Sequence, residues 1–518
     1  MTLLTRFVWA TFWSCAALAC SGLPAINPLA SGGSAANGGS NPDGTGGNSG
    51  SSGGGSGLRA TGGSAQTQSV GGADAGVPGS GGANAGGDSG DAEDTVLVPG
   101  WAVRKRLRSS AGGDFVLEEA LQSYLVATPA PTRIRLLDAN MDRVWSPGAS
   151  YISDFALHPS GQFSAVLVGA DRTFSIARLA SDLTPLGIDV IEDPAIADDP
   201  HAAEFGNTEL LSNGFAQDSA RVGAQGETSV AVVFSSMYSV IAYRLNFAGG
   251  SWSASARTLV EPPSHLIPFM PTSGSFDTFG AITAWFRCPL DVDEDGNVYV
   301  VVWAGQDRIR DHVAVFNDGL APLFEDPGNP LGGDSDLLLT KLDAYGARAW
   351  SRVIGSQYED EPYAIRAQTG LVSTVGRSRR FPGIDNTTWD ALFGVTTSSG
   401  DLVGTRTLSL NASSILLAVD AMPSGGWLLG GSDGWSQNPD GLSILSFGTK
   451  LLLTLDAVDG TPQRHAVAPG PRHNEIRSVL ADAQRLWFGG HENGPIMHTG
   501  DADPTQIHAT GVLGSLVR

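Results

Sequence analysis

The sequence predicts an all-β fold, a β-propeller of seven four-stranded blades behind a disordered linker. Three observations carry this reading. From about Thr95 onward apolar and polar residues alternate with period two, Gly, Asp, Asn and Pro interrupt them, and no i, i+3, i+4, i+7 stripe runs for three turns. Two hairpin types recur in alternation, so that pairs of hairpins make four-stranded units. Such units, packed radially, protect most of their strand edges. A long sandwich array or a β-solenoid is the competing architecture. Solenoid repeats are shorter and more uniform, and sandwiches lack the two alternating hairpins.

Residues 1–19 read as an export signal. Arg6 precedes an apolar run, Phe7–Ala19, whose length suits a secretory h-region of roughly 7–15 residues and falls short of the ~20 needed to span a bilayer. The run closes on Ala17-Leu18-Ala19-Cys20, followed by Ser21-Gly22. This resembles a bacterial lipobox, with the large aliphatic residue at Leu18, one place later than usual. The resemblance implies lipidation at Cys20, which would become the first residue of the mature chain. An ordinary cleaved signal with an incidental cysteine is the other reading. The expected location is the outer membrane or cell surface through the lipid, with secretion as the alternative.

Residues 20–94 form the expected tether. Between Ser31 and Gly90 lie 23 glycines and three large aliphatics, Leu58, Val70 and Val77. Such a stretch cannot bury enough apolar surface to offset its chain entropy. As a flexible coil it would reach roughly 50 Å. Of three cysteines, Cys15 and Cys20 belong to the leader, leaving Cys288 alone. The mature chain then has no intramolecular disulfide and needs a large core instead. Cys288 is expected as a small buried apolar residue.

The propeller is assigned to residues 95–518. The first hairpin type turns at Gly161, Gly226, Gly296, Gly370 and Gly425, and once without glycine near Asp482. Its remaining copy would fall in the degenerate stretch 115–127. The second type turns at Asp138, Asp182, Phe247, Asp343, Ser398, Asp456 and Asp501. Ring closure is expected between Val96–Val103 and Val512–Val517. A strand-like stretch at 311–319 is the one feature against a count of seven.

Asp334 to Gly383 carries Lys341, Leu342, Asp343, Gly346, Trp350, Gly355, Glu361, Ala364, Ile365, Val375, Gly376, Ser378, Phe381 and Pro382. This run resembles the repeat of bacterial secreted seven-bladed β-propeller proteins, and the match is good over about 130 residues. The resemblance implies fold and export. That family has no shared catalytic residues, so it implies no active site.

Lys+Arg number 31 against 53 Asp+Glu, a formal charge of −22 with only three lysines. That balance excludes phosphate recognition as a main task, hence no nucleic-acid partner, and disfavours docking on anionic membranes through basic patches. Asp291, Asp293 and Asp295, ahead of Gly296, have the D-x-D-x-D-G spacing of a calcium loop, where alternate carboxylates can converge on one hard cation. An EF-hand would need Glu where Val302 stands, and HPSG and MPSG serve the same turn elsewhere. A structural calcium ion and an ordinary polar turn both fit, and no other cofactor is implied. No H-x-x-x-H, H-E-x-x-H, G-x-S-x-G or Walker pattern occurs.

Two long segments, 261–286 and 378–389, are rich in aromatics, Pro or Arg. They nominate Phe269, Trp285, Arg379, Arg380, Phe381 and Trp389 as binding residues, against packing of Phe269, Phe276, Phe279 and Trp285 between blades. The function expected is a monomeric binding or scaffold lipoprotein for protein or polysaccharide, without catalysis. The alternative is a hydrolase or lyase acting on extracellular polymer, with His158, His265 and His491 converging at the axis.

Overall fold

The computed structural model describes residues 94–518, apart from short breaks and the segments 121–130, 192–219, 262–287, 306–334, 381–387, 438–443 and 495–509. Cys20, the tether, His265, Phe269, Trp285, Phe381 and the stretch 311–319 lie outside the described residues.

Strand β1 (Asp94–Pro99) comes first in sequence and last in the ring. Blade 1 is β2 (Trp101–Arg108), β3 (Asp114–Ala120), β4 (Thr132–Leu137) and β5 (Arg143–Trp145). Blade 2 is β6 (Tyr151–Leu157), β7 (Phe163–Val168), β8 (Phe174–Leu179) and β9 (Pro185–Ile191). Blade 3 is β10 (Ala220–Ala224), β11 (Ser229–Ser235), β12 (Val240–Ala248) and β13 (Ser251–Glu261). Blade 4 is β14 (Leu290–Val292), β15 (Val298–Gly305), β16 (Ser335–Leu342) and β17 (Arg348–Ile354). Blade 5 is β18 (Glu359–Gln368), β19 (Leu371–Arg380), β20 (Thr388–Thr397) and β21 (Leu402–Leu408). Blade 6 is β22 (Ser413–Ala421), β23 (Trp427–Gln437), β25 (Thr449–Leu455) and β26 (Gln463–Arg464), with the short β24 (Ile444–Ser446) beside β23. Blade 7 is β27 (His473–Ala481), β28 (Arg485–Gly494), β29 (Thr510–Val517) and, fourth, β1. All pairings are antiparallel, and closure runs from Asp94↔Ser515 to Pro99↔Thr510, as the sequence led one to expect.

One hairpin differs from the sequence reading. Blade 1 does have the first hairpin type, formed by β2 and β3, so that 115–120 is its second strand and its turn lies upstream. Its inner strand reads Arg104-Lys105-Arg106, so the apolar signal is missing. The cations are neutralised across the fold, Arg106 by Asp114 at 3.0 Å and Lys105 by Asp154 at 2.8 Å. In blade 7 the third and fourth strands are β29 and β1, and the hairpin read at Asp501 lies outside the described residues.

The core lies between blades. One apolar cluster fills each of the seven junctions. Period-two alternation explains how one strand serves two clusters. Val298, Val300 and Val302 of β15 pack toward blade 3, while Tyr299 and Val301 pack toward blade 5. Cys288 is fully buried at the blade 3–4 junction.

Topology separates the two faces. Within a blade the first and third links lie at one end, and the second link and the passage to the next blade lie at the other. The first links are tight. Backbone bonds close them from His158 to Gln162, Gln225 to Ser229, Asp293 to Asn297 and Met422 to Gly426. Gly296 takes φ 81° there, where a side chain would strain the backbone. The long segments 192–219, 262–287, 306–334, 438–443 and 495–509 all leave from the opposite end. One end is a turn face, the other a loop face.

Candidate functional site

On the turn face a cavity of about 430 Å³ is lined by the first turns of blades 1 to 4, among them Ser109, Leu157, His158, Gln225, Asp293 and Glu294. The polar groups here are largely committed to holding blades together. His158 Nδ1 lies 2.6 Å from the carbonyl oxygen of Gly226, which can only accept, so Nδ1 carries the proton and Nε2 accepts from Ser164 Oγ at 2.8 Å. Burial lowers the His158 pKa to about 4, so the ring is neutral. Gln225 repeats the reach one blade on, donating to the Gly296 carbonyl at 2.8 Å.

The three aspartates of the calcium-like motif do not face one point. Asp291 accepts from Ala367 N at 2.8 Å and from Arg366 at 3.2 Å, both on blade 5. Asp293 stays within its own turn, accepting from Asn297 N at 2.8 Å, Asp295 N at 3.0 Å and Tyr299 Oη at 3.0 Å. Asp295 is exposed. Among the described residues no group of three or more His, Cys, Asp or Glu could hold a metal ion. The spacing serves an inter-blade tie, an Asx turn and a solvated charge.

Asp291 is also the first member of a charged string along the innermost strands. Arg366 and Asp420 occupy the matching position on β18 and β22, and Arg366 pairs with Asp291 at 3.2 Å and Asp420 at 2.9 Å. The Asp291 charge raises the Arg366 pKa further, while burial raises that of Asp420. Asp420 also accepts Ala481 N of blade 7 at 2.8 Å, so blades 4 to 7 are tied in sequence.

The loop-face end holds the densest buried polar chemistry. In three consecutive blades a polar pair sits directly across the first two strands: Glu361↔Arg377, Ser414↔Asp433 and Glu475↔His491. All six are buried. Arg377 grips Glu361 through Nε at 3.0 Å and Nη2 at 2.9 Å, and Trp389 stacks 3.7 Å from its guanidinium carbon. Ser414 donates to Asp433 at 2.7 Å, and half-exposed Arg464 reaches the same carboxylate at 2.6 Å. Lys450 of blade 6 pairs with Glu492 of blade 7 at 2.9 Å.

Below each rung the innermost strand skips one residue in register, and Arg104, Tyr363 and Arg477 occupy that position in blades 1, 5 and 7. A bulge re-aims its side chain. Here each meets a carboxylate: Glu119 at 3.5 Å, Glu361 at 3.2 Å and Glu475 at 2.9 Å. In blade 1, fully buried Glu118 is held by Arg133 at 2.6 Å and Arg135 at 3.0 Å, and Trp101 stacks on Arg133 at 3.7 Å. At the blade 4–5 junction Asp336 and Asp360 are both buried, and burial followed by the Asp360 charge raises the Asp336 pKa to about 8.

Of the residues nominated from sequence, Arg379 and Arg380 end β19, opposite Trp389 and Thr388. They flank the segment 381–387 on the loop face, beside the Glu361–Arg377 rung. Trp389 is buried at 6% exposure, under Arg377. His158 lies on the turn face and His491 near the loop face, so these two do not meet. Sequence reading missed the rungs. Glu361 was visible only as a repeat residue, and nothing short of strand register sets Arg377 against it.

No protein-family model and no curated protein matches the sequence. Solved structures do resemble it. A structure of the Dos1 propeller is 9% identical over 81% of this chain and 93% of that one, with TM-score 0.41. A catalytically inactive virginiamycin B lyase from Staphylococcus aureus with quinupristin is 10% identical over 82% and 99%, with TM-score 0.40. The RRP9 WD40 repeats are 9% identical over 82% and 98%, with TM-score 0.43. The chain's own strand pairing shows a closed all-β propeller of seven blades.

Proposed function

We propose that the protein is a binding module, displayed at the cell surface by a lipid on Cys20 and the tether 20–94, that engages protein or polysaccharide through its loop face. One observation carries this reading: every long connection leaves from one end of the blades, above a row of buried polar rungs, while the other end is closed by tight turns. Long segments on a rigid scaffold are where binding residues concentrate. Turns whose polar groups are spent on neighbouring blades have little left to offer a partner.

A glycan and peptide array tests the reading. Arg379→Glu/Arg380→Glu on the loop face should cut retained signal at least about tenfold, since reversing two rim charges disfavours the original partner. Tyr345→Ser, at a 77% exposed turn-face residue, should leave it unchanged. Binding that survives the first variant and disappears with the second would place the partner on the wrong face. The anchor has its own test. In cells fed an alkyne fatty acid, wild type should take up label and Cys20→Ala should not; equal labelling removes the lipid from the reading.

A further inference from the structure

We propose that Arg178, Ser164 and His158 of blade 2 form an acid-sensitive latch on the first turn of blade 3, holding it while the His158 ring is neutral and releasing it once the ring takes up a second proton. The latch lies on the turn face and stands apart from any binding role of the loop face.

Two donors of blade 2 grip consecutive carbonyls of that turn. His158 Nδ1 donates to the Gly226 oxygen at 2.6 Å, and Arg178 Nη2 donates to the Glu227 oxygen at 2.6 Å. Ser164, opposite Arg178 across β7 and β8, links the two donors. Its hydroxyl accepts from Arg178 Nη1 at 3.4 Å and donates to His158 Nε2 at 2.8 Å. A guanidinium can only donate and a carbonyl can only accept, so the chain runs one way, from Arg178 through Ser164 and His158 to Gly226. Gln162 Oε1 fixes the guanidinium from its other side, at 3.0 Å from Nε and 2.9 Å from Nη2. Ser164, His158 and Arg178 are 0%, 1% and 2% exposed.

A proton on Nε2 reverses one bond of this chain. Ser164 then faces two N–H donors, its own hydroxyl proton loses its acceptor, and two cations share one hydroxyl away from water. The acids nearby offset little of this. Glu227 on the blade 3 turn is exposed, and of the blade 4 acids lining the adjoining cavity, Asp293 is engaged in its own turn and Glu294 is exposed. The His158 pKa of about 4 agrees: burial lowers it most, and the Arg178 charge adds to that against the Gly226 carbonyl and the Glu227 charge. A ring that has swung into water titrates near 6.5 instead. The latch is therefore at full strength above about pH 6.5, and the open form gains on it by roughly two orders of magnitude as pH falls to about 4, and no further below that. The same turn holds blade 4 through Gln225 Nε2 and the Gly296 carbonyl, so release slackens two seams.

Two measurements on the full chain supply the test. In nitrogen-15 spectra of the imidazoles, wild type should keep one ring neutral at about pH 5, with its proton on Nδ1, and His158→Gln should lack that signal. Hydrogen exchange in residues 222–235, corrected for the intrinsic pH dependence of exchange, should quicken at least about tenfold between about pH 7 and about pH 4.5. His158→Gln, which has no ring to charge, should lose that response. Should this variant fail to fold, Arg178→Gln gives a second reading: without the neighbouring cation the ring should titrate at higher pH. A wild type whose nine imidazoles are all protonated at about pH 5 overturns the proposal. So does a neutral ring that persists in His158→Gln, or an Arg178→Gln ring that titrates as in wild type. Exchange that ignores acid, or quickens equally in wild type and His158→Gln, overturns it as well.

Discussion

Deleting Thr510–Arg518 should abolish cooperative folding at ambient temperature. The loss removes β29, the strand between β28 and β1, and so breaks two pairings and opens the ring. Val512, Leu513 and Leu516 lie on it, all buried. At roughly 1.5–3 kcal/mol each they represent about 5–9 kcal/mol, against a total stability of about 5–15 kcal/mol for a typical domain. Gly514 shows how tightly the strand is seated, since a Cβ there would run into the Phe488 ring. Deleting β1 alone should cost less, because Val98 is its one buried side chain. Circular dichroism melts of the two truncations and the parent decide the matter. A chain lacking Thr510–Arg518 that melts as the parent does would show that closure does not hold the fold.

Arg377→Ala should be the most damaging single change on the loop face, costing about 3–5 kcal/mol. Arg377 and Glu361 are 4% and 2% exposed, so truncating the arginine strands a carboxylate where water does not reach. Trp389 also loses the cation stacked on it, worth a further ~0.5–2 kcal/mol. Replacing both partners, as in Glu361→Gln/Arg377→Met, should recover much of the loss, because no charge is then left unpaired. Urea midpoints for the single and double variants measure this. A single variant within about 1 kcal/mol of wild type would mean that solvent enters the rung, as it does at surface pairs.

The architecture was legible where each hairpin advertised itself. Gly161, Gly226, Gly296 and Gly425 mark turns that need a left-handed residue, and apolar alternation on either side marks the strands. Blade 1 escaped because Arg104-Lys105-Arg106 is a polar word for a buried strand. Its charges are offset by Glu119, Asp154 and Asp114 in turn, and Asp154 lies in another blade. The polar rungs were illegible for a different reason. Period two says which residues share a face, but not which residue of the next strand arrives opposite. Glu361 and Arg377 become a pair only once the Pro362/Ala364 register shift is known. Asp291 shows the converse. Its spacing from Asp293 and Asp295 suggested a shared ligand, while its true partners, Arg366 and Ala367, lie on the next blade.

The direction of β1 has a mechanical consequence. It pairs with β29 from Asp94↔Ser515 at the turn face to Pro99↔Thr510 at the loop face. Everything N-terminal to Asp94 is therefore joined to the propeller at its turn face. Tension applied there runs along the axis of β1, and its six rungs carry the load together in shear instead of parting one after another. A strand with a single buried side chain thus sits in the geometry that resists pulling best.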